Sequence, residues 1–226
     1  MRIVHRQRWN LTPRAAIALQ QRLRGKIVNA PLPSLGEGAL IAGTDVSYDK
    51  HSDQLFAAVV VLRLPDLAVV EQATAADRAR FPYVPGLLSF REIPPLLACF
   101  RKLSVTPDVV LVDGQGLAHP RRFGLACHLG WLLNVPAIGC AKSILCGTFE
   151  KLAARRGATA PLVHKGEVVG LALRTRAGVQ PMYISVGQRA ELAGAAELVL
   201  RCAARYRLPE PTRRAHILGN QLRLAA

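Results

Sequence analysis

Apolar positions along the chain keep three rhythms in turn, and each predicts a kind of element. In the opening segment Ala16, Leu19, Leu23 and Ile27 recur at helical spacing opposite Arg14, Gln21 and Arg24, with Thr12 placed to cap and Pro13 suited to the first turn. This predicts a basic N-terminal helix within residues 1–30. After a loop rich in Pro and Gly at 31–38, runs at 40–48, 55–64 and 67–73 have strand character, separated by the polar turn 49–53 and by Pro65-Asp66. Connections this short make an antiparallel meander. Helix and strand then alternate: a helix over 90–103, a β-branched strand over 108–113, a helix over 121–133 and a strand over 136–141. That order predicts parallel strands joined by crossover helices. Strands at 168–174 and 182–186 precede an Ala/Leu-rich helix over 190–206 and a last helix over 211–222. The expected fold class is α/β, a mixed sheet with a three-strand antiparallel meander followed by βα units, flanked by helices, in one domain over 1–226.

Composition narrows the classes. Half of the 226 residues are hydrophobic and 20% are charged, enough apolar side chain for a core, which excludes global disorder. No apolar run approaches the ~18 residues of a membrane span, and the N-terminus has arginines but no apolar segment of a secretory signal. A soluble, cytoplasmic, monomeric protein is expected. The five cysteines are scattered and never spaced C-x-x-C, which points to buried thiols and against a disulfide framework or a zinc knuckle. The net charge of +15 is uneven: residues 1–30 carry +7, residues 31–150 carry −1 and residues 151–226 carry +9. A polyanionic partner would explain the basic flanks, and a metal site the central acids. Basic proteins need not bind nucleic acid, so charge alone leaves the partner open.

The acids are placed unusually. Strand alternation puts Ile41, Gly43, Asp45, Ser47 and Asp49 on one face, so Asp45 is a carboxylate within an apolar strand, in need of a partner or a metal unless it lies at an exposed strand end. "PDVVLVDGQG" ends an apolar run at Asp113, where open α/β sheets place their ligands, and the two acids converge if their strands are neighbours. Glu92 fits a capping box with Ser89, and on these residues alone the cap is the preferred reading, although a helix start also suits a carboxylate facing a metal. Tyr83, between Pro82 and Pro85, is either a rigid aromatic for stacking on bases or a lid over the core. The glycines Gly114 and Gly116, followed by His119, Arg121 and Arg122, allow close approach of a phosphate, but without a Walker A loop or dinucleotide fingerprint. Lys142 should emerge near the same strand ends as Asp113, there to offset phosphate charge or simply to be solvated. His128 reads as a packed core histidine, while His216 could serve a metal or a water proton, or pack the last helix.

Taken together, "GTDVSY", "PYVPGLLSFRE", "PDVVLVDGQGLAHPRRFGLACHLGWLLNVPAIGCAKSILCG", "PMYISVGQRAEL" and "YRLPEPTRRAH" resemble the endonuclease V family, in the family's order over about residues 40–216. The resemblance implies a ribonuclease H-like fold. It also implies hydrolysis, dependent on Mg²⁺ with Mn²⁺ as a substitute, of the second phosphodiester bond 3′ to deoxyinosine, leaving 3′-hydroxyl and 5′-phosphate ends. DNA containing deoxyinosine is then the partner, with inosine-containing RNA as an alternative. Residue by residue, it makes Asp45 and Asp113 metal-binding, Glu92 catalytic in place of the cap, and Lys142 and His216 active-site groups. Tyr83 becomes the wedge that fills the gap left by an extruded base, and Gly86, Leu88, Gly114, Gly139 and Ala141 the pocket for that base. Gly116, His119 and Arg121 join the substrate-binding set. Another ribonuclease H-like nuclease and a catalytically silent binding module are the competing readings.

Overall fold

The structure, a computed structural model, describes residues 1–49 and 51–226. Its centre is an eight-stranded mixed sheet in the order β3-β2-β1-β4-β5-β8-β7-β6. The strands β1 (Leu40–Tyr48), β2 (Gln54–Arg63) and β3 (Ala68–Arg78) form the expected antiparallel meander, since each turn between them is too short for a crossover. The strands β4 (Val109–Val112) and β5 (Ala137–Ala141) lie parallel beside β1, joined through helices α2 (Leu88–Lys102) and α3 (Leu125–Leu133). Beyond β5 the sheet becomes antiparallel again through β8 (Met182–Gln188), β7 (Glu167–Leu173) and β6 (Thr159–His164).

Side chains alternate across the sheet and build two apolar layers. On one face Ala42, Val110 and Val112 pack with Ile93, Leu96 and Phe100 of α2 and Leu129 of α3. On the other, Ile41, Val109 and Leu111 meet Ala195 and Val199 of α4 (Leu192–Cys202), and Ala58, Val60 and Leu62 meet Ala215 of α5 (Glu210–Leu224). The N-terminal helix α1 (Pro13–Leu23) is capped by Thr12, as its sequence indicates, and runs into a 3₁₀ turn over Arg24–Lys26.

Four expectations are corrected. The strand β3 runs on to Arg78 instead of ending at 73. The helix α3 starts at Leu125 instead of 121, because residues 114–124 fold into a loop tied by Gly124 N–H to the Gly116 carbonyl and Ala126 N–H to the Gln115 carbonyl. Helix α4 ends at Cys202 instead of 206. The strand β6 is absent from the sequence reading because Pro161 interrupts its pattern; at the sheet edge a residue without an N–H is tolerated.

Candidate active site

Parallel pairing of β1 and β4 sets Thr44 against Val112, and Asp113 N–H donates to the Thr44 carbonyl at 3.4 Å. Asp113, just past the end of β4, is therefore the neighbour of Asp45 within β1. Asp45 is only 8% exposed, and burial, followed by its contact with Asp113 and that group's charge, pushes its carboxyl up to about 8. Lys142, one residue past β5, forms an ion pair with Asp113.

Glu92 projects from α2 and is 6% exposed. It accepts a hydrogen bond from the Tyr48 hydroxyl at 2.5 Å, and burial pushes its carboxyl up to about 8. The capping box does not form. Helix α2 has Leu87 at its N-cap and no side-chain cap, while Ser89 lies inside the helix with its hydroxyl 3.0 Å from His128 Nδ1. His128 is thereby the buried, bonded histidine expected of it.

His216 reaches in from α5, its Nδ1 3.1 Å from Asp45 Oδ2. Behind it runs a chain whose direction can be read. Arg223 Nε donates to Ser47 Oγ at 2.9 Å, Ser47 Oγ donates to Asn220 Oδ1 at 2.8 Å, and Asn220 Nδ2 meets His216 Nε2 at 3.1 Å. An amide nitrogen can only donate, so His216 Nε2 accepts from Asn220 and the proton of a neutral His216 sits on Nδ1, toward Asp45. Burial and then the Lys142 charge push the His216 pKa down, which favours that neutral form.

Asp45, Tyr48, Glu92, Asp113, Lys142 and His216 line one cleft of about 340 Å³. A second cavity, of about 360 Å³, shares Asp113 and Lys142 with it and is lined by Tyr83, Gly86, Leu88, Gly114, His119 and Ala141 among others. Tyr83 is 71% exposed, which excludes the core-lid alternative. Gly116 and Gly139 do not line the cavity: a Cβ on Gly116 would stand 2.0 Å from the Val186 carbonyl oxygen, and one on Gly139 2.6 Å from that of Gly114. They let the loop lie flat on β8 and β5. Arg121 Nη2 and His119 Nε2 both meet the Gly86 carbonyl, at 2.7 and 2.9 Å.

Sequence reasoning passed over Tyr48, Gln20 and Asn220. For Asn220 a signal existed, because it lies one helical turn after His216. Tyr48 falls on the opposite side of β1 from Asp45, and only the packing of α2 reveals its partner.

The donor set fits a hard divalent cation. Mg²⁺ takes one or two carboxylates and fills the rest of its shell with water and phosphate oxygens, and the buried Asp45 and the half-buried Asp113 beside it offer that. Among the described residues no group of three or more His, Cys, Asp or Glu forms a ready-made cage.

A model of the endonuclease V family matches residues 21–217. The chain belongs to the endonuclease V family. The endonuclease V of Myxococcus xanthus is 54% identical over 218 residues, 96% of this chain and 92% of its own length. Among crystal structures, endonuclease V from Streptomyces avermitilis superposes with a TM-score of 0.90 at 45% identity, covering 96% of both chains. Endonuclease V from Ciona intestinalis, in complex with a 24mer DNA containing an inosine followed by a ribo-adenosine, gives 0.79 at 29% identity, covering 92% of this chain and 97% of that one. The architecture common to these endonuclease V structures agrees with the ribonuclease H-like fold expected from the sequence.

Proposed function

We propose that this protein is a Mg²⁺-dependent repair endonuclease that nicks DNA at the second phosphodiester bond 3′ to deoxyinosine, leaving 3′-hydroxyl and 5′-phosphate ends. The observation that carries this reading is a cleft holding Asp45, Asp113, Lys142 and His216 that shares a wall with a cavity beside the exposed Tyr83. Groups for hydrolysis and a space for an extruded base adjoin.

Asp45 and Asp113 would hold the Mg²⁺, or Mn²⁺ in its place. When bound, such a cation polarises the scissile phosphate and lowers the pKa of nearby water. Lys142, paired with Asp113 here, offsets charge on a phosphate oxygen. Glu92 orients the water, and the Tyr48 hydroxyl fixes its carboxyl. His216 steadies Asp45 through the proton on Nδ1. Tyr83 fills the gap in the stack while backbone groups of the Gly86 and Gly114 segments read the hypoxanthine edge. Extrusion costs least at a mispaired base, which adds selectivity.

Inosine-containing RNA stands as a second substrate, because the Ciona relative is in complex with a strand whose inosine precedes a ribonucleotide. Among the described residues no helix is long and apolar enough to cross a membrane.

The test is a labelled duplex with one deoxyinosine, incubated with Mg²⁺ or with EDTA and mapped to the nucleotide, beside an RNA of the same sequence. A nick after the 3′ neighbour of inosine, absent with EDTA and in Asp45→Ala and Asp113→Ala, is expected. Equal cutting of undamaged duplex would point to a general nuclease, and binding without scission to a binding module.

A further inference from the structure

The base cavity has a wall that the strand-end chemistry does not explain. Gln20, on α1, is 1% exposed and reaches it from outside the strongest motifs. Its Nε2 donates to the carbonyls of Gly86 at 3.0 Å and Phe123 at 3.1 Å, and its Oε1 accepts from Arg121 Nε at 2.6 Å. With Arg121 Nη2 and His119 Nε2, three side-chain donors from two separate segments converge on the Gly86 oxygen.

The direction of each bond is fixed. Arg121 can only donate, so Gln20 must turn its oxygen to the guanidinium and its amide nitrogen to the carbonyls. The Arg121 backbone N–H donates to His119 Nδ1 at 3.1 Å, so the proton of a neutral His119 is on Nε2, aimed at Gly86. Burial pushes His119 down to about 4, which keeps it neutral.

A carbonyl oxygen has two lone pairs, so a third donor exceeds what satisfying it requires. What the clamp adds is orientation. Gly86 has φ +77°, and a Cβ there would stand 2.7 Å from Arg121 Nη2. It directly precedes Leu87, the N-cap of α2, and follows the Tyr83 loop. Holding its peptide plane therefore sets both the end of the wedge loop and the start of α2. The first turn of that helix, at Leu88 and Ser89, lines the cavity and has no side-chain cap.

We propose that Gln20 is a positioning residue that determines base specificity: by holding the Gly86 carbonyl it keeps the wedge loop and the α2 start at the spacing an extruded hypoxanthine requires. This rests on the base-extrusion reading above. It gives the N-terminal helix a part in recognition beyond covering the core.

The experiment measures binding, without metal, of a labelled single strand containing one deoxyinosine and of the same strand with deoxyadenosine. The wild-type protein must first prefer the inosine strand; no preference would overturn the base-extrusion reading itself. Given that preference, Gln20→Leu and Gln20→Glu are compared. Both are close to glutamine in size, and Glu keeps an acceptor for Arg121 while placing a carboxylate against the Gly86 and Phe123 carbonyls. Each is expected to lower the inosine preference by about 10- to 100-fold, the scale of a misplacement of about 1 Å, with adenosine-strand binding changed no more than about twofold. A preference retained in Gln20→Glu, or equal losses on both strands, would overturn the proposal. Should both variants fail to fold, Arg121→Met removes a donor from the other side of the clamp and carries the same expectation, and an unchanged preference there overturns it.

Discussion

Asp45 is held where a carboxylate is costly, and that cost should be measurable. Its carboxyl rises from 3.8 to about 8, so between those values the folded protein keeps a proton that the unfolded chain releases. The share of stability that the protonated Asp45 contributes to the metal-free protein is therefore fully present below about pH 4 and lost as pH rises through about 8, and Glu92 contributes with the same sign. Asp45→Asn removes the Asp45 share. At pH 8 with EDTA this variant is expected to melt above the wild type by at least about 2–4 °C, the shift that 1 kcal/mol gives a chain of this length. Mg²⁺ should raise the wild-type Tm and have little effect on the variant; equal stabilisation of both would place the cation elsewhere. Asp45 and Asp113 were legible in the sequence because an acid within an apolar strand and an acid ending an apolar run are both conspicuous. Tyr48 and Asn220 were not, because a hydroxyl and an amide become site residues only when Glu92 and His216 are brought to them.

At the scale of elements, the close contact between β1 and α5 assembles the site. A Cβ on Gly43 would stand 2.0 Å from Pro211 C and 2.4 Å from Thr212 N, both backbone atoms at the start of α5. Only glycine lets the helix lie this near, and the helix carries His216 to Asp45 and Asn220 to Ser47. Gly43→Ala is expected to cost about 3 kcal/mol, the upper end of overpacking, because backbone cannot yield as a side-chain tip can. Urea unfolding checks the stability. Cleavage of the inosine duplex should fall further than the unfolded fraction explains, since α5 must shift away from Asp45. Wild-type stability in Gly43→Ala would show that α5 docks with slack. Helix α2 has a comparable role from the opposite face, delivering Glu92 into the cleft and, through its first turn, a wall of the second cavity.

For the whole molecule, the basic termini flank an acidic centre, and several of the bases on α1 and its 3₁₀ turn, Arg14, Arg22, Arg24 and Lys26, are exposed. Binding to undamaged duplex is expected to weaken linearly on a log–log plot against salt, with a slope of about −0.9 for each phosphate neutralised. Replacing Arg14, Arg22 and Arg24 together by Gln should flatten that slope if α1 touches the backbone; an unchanged slope would assign the contact to the C-terminal bases. The fold itself was largely legible: the run at 40–48 matches β1, and the meander and the first crossover units follow the expected order.

The sequence by itself determined the order of most elements, the placement of Asp45 within an apolar strand and of Asp113 at a strand's carboxyl end, and the rigid setting of Tyr83, because periodicity and local stereochemistry depend on near neighbours. Only the tertiary structure decided which helix covers which face. It alone placed His216 at Asp45, spent His119 and Arg121 on Gly86, and slid Gly116 and Gly139 beneath the loop. An apolar stripe declares that a face must be buried, but its partner is chosen by packing between segments far apart in the chain, and no local pattern encodes that choice.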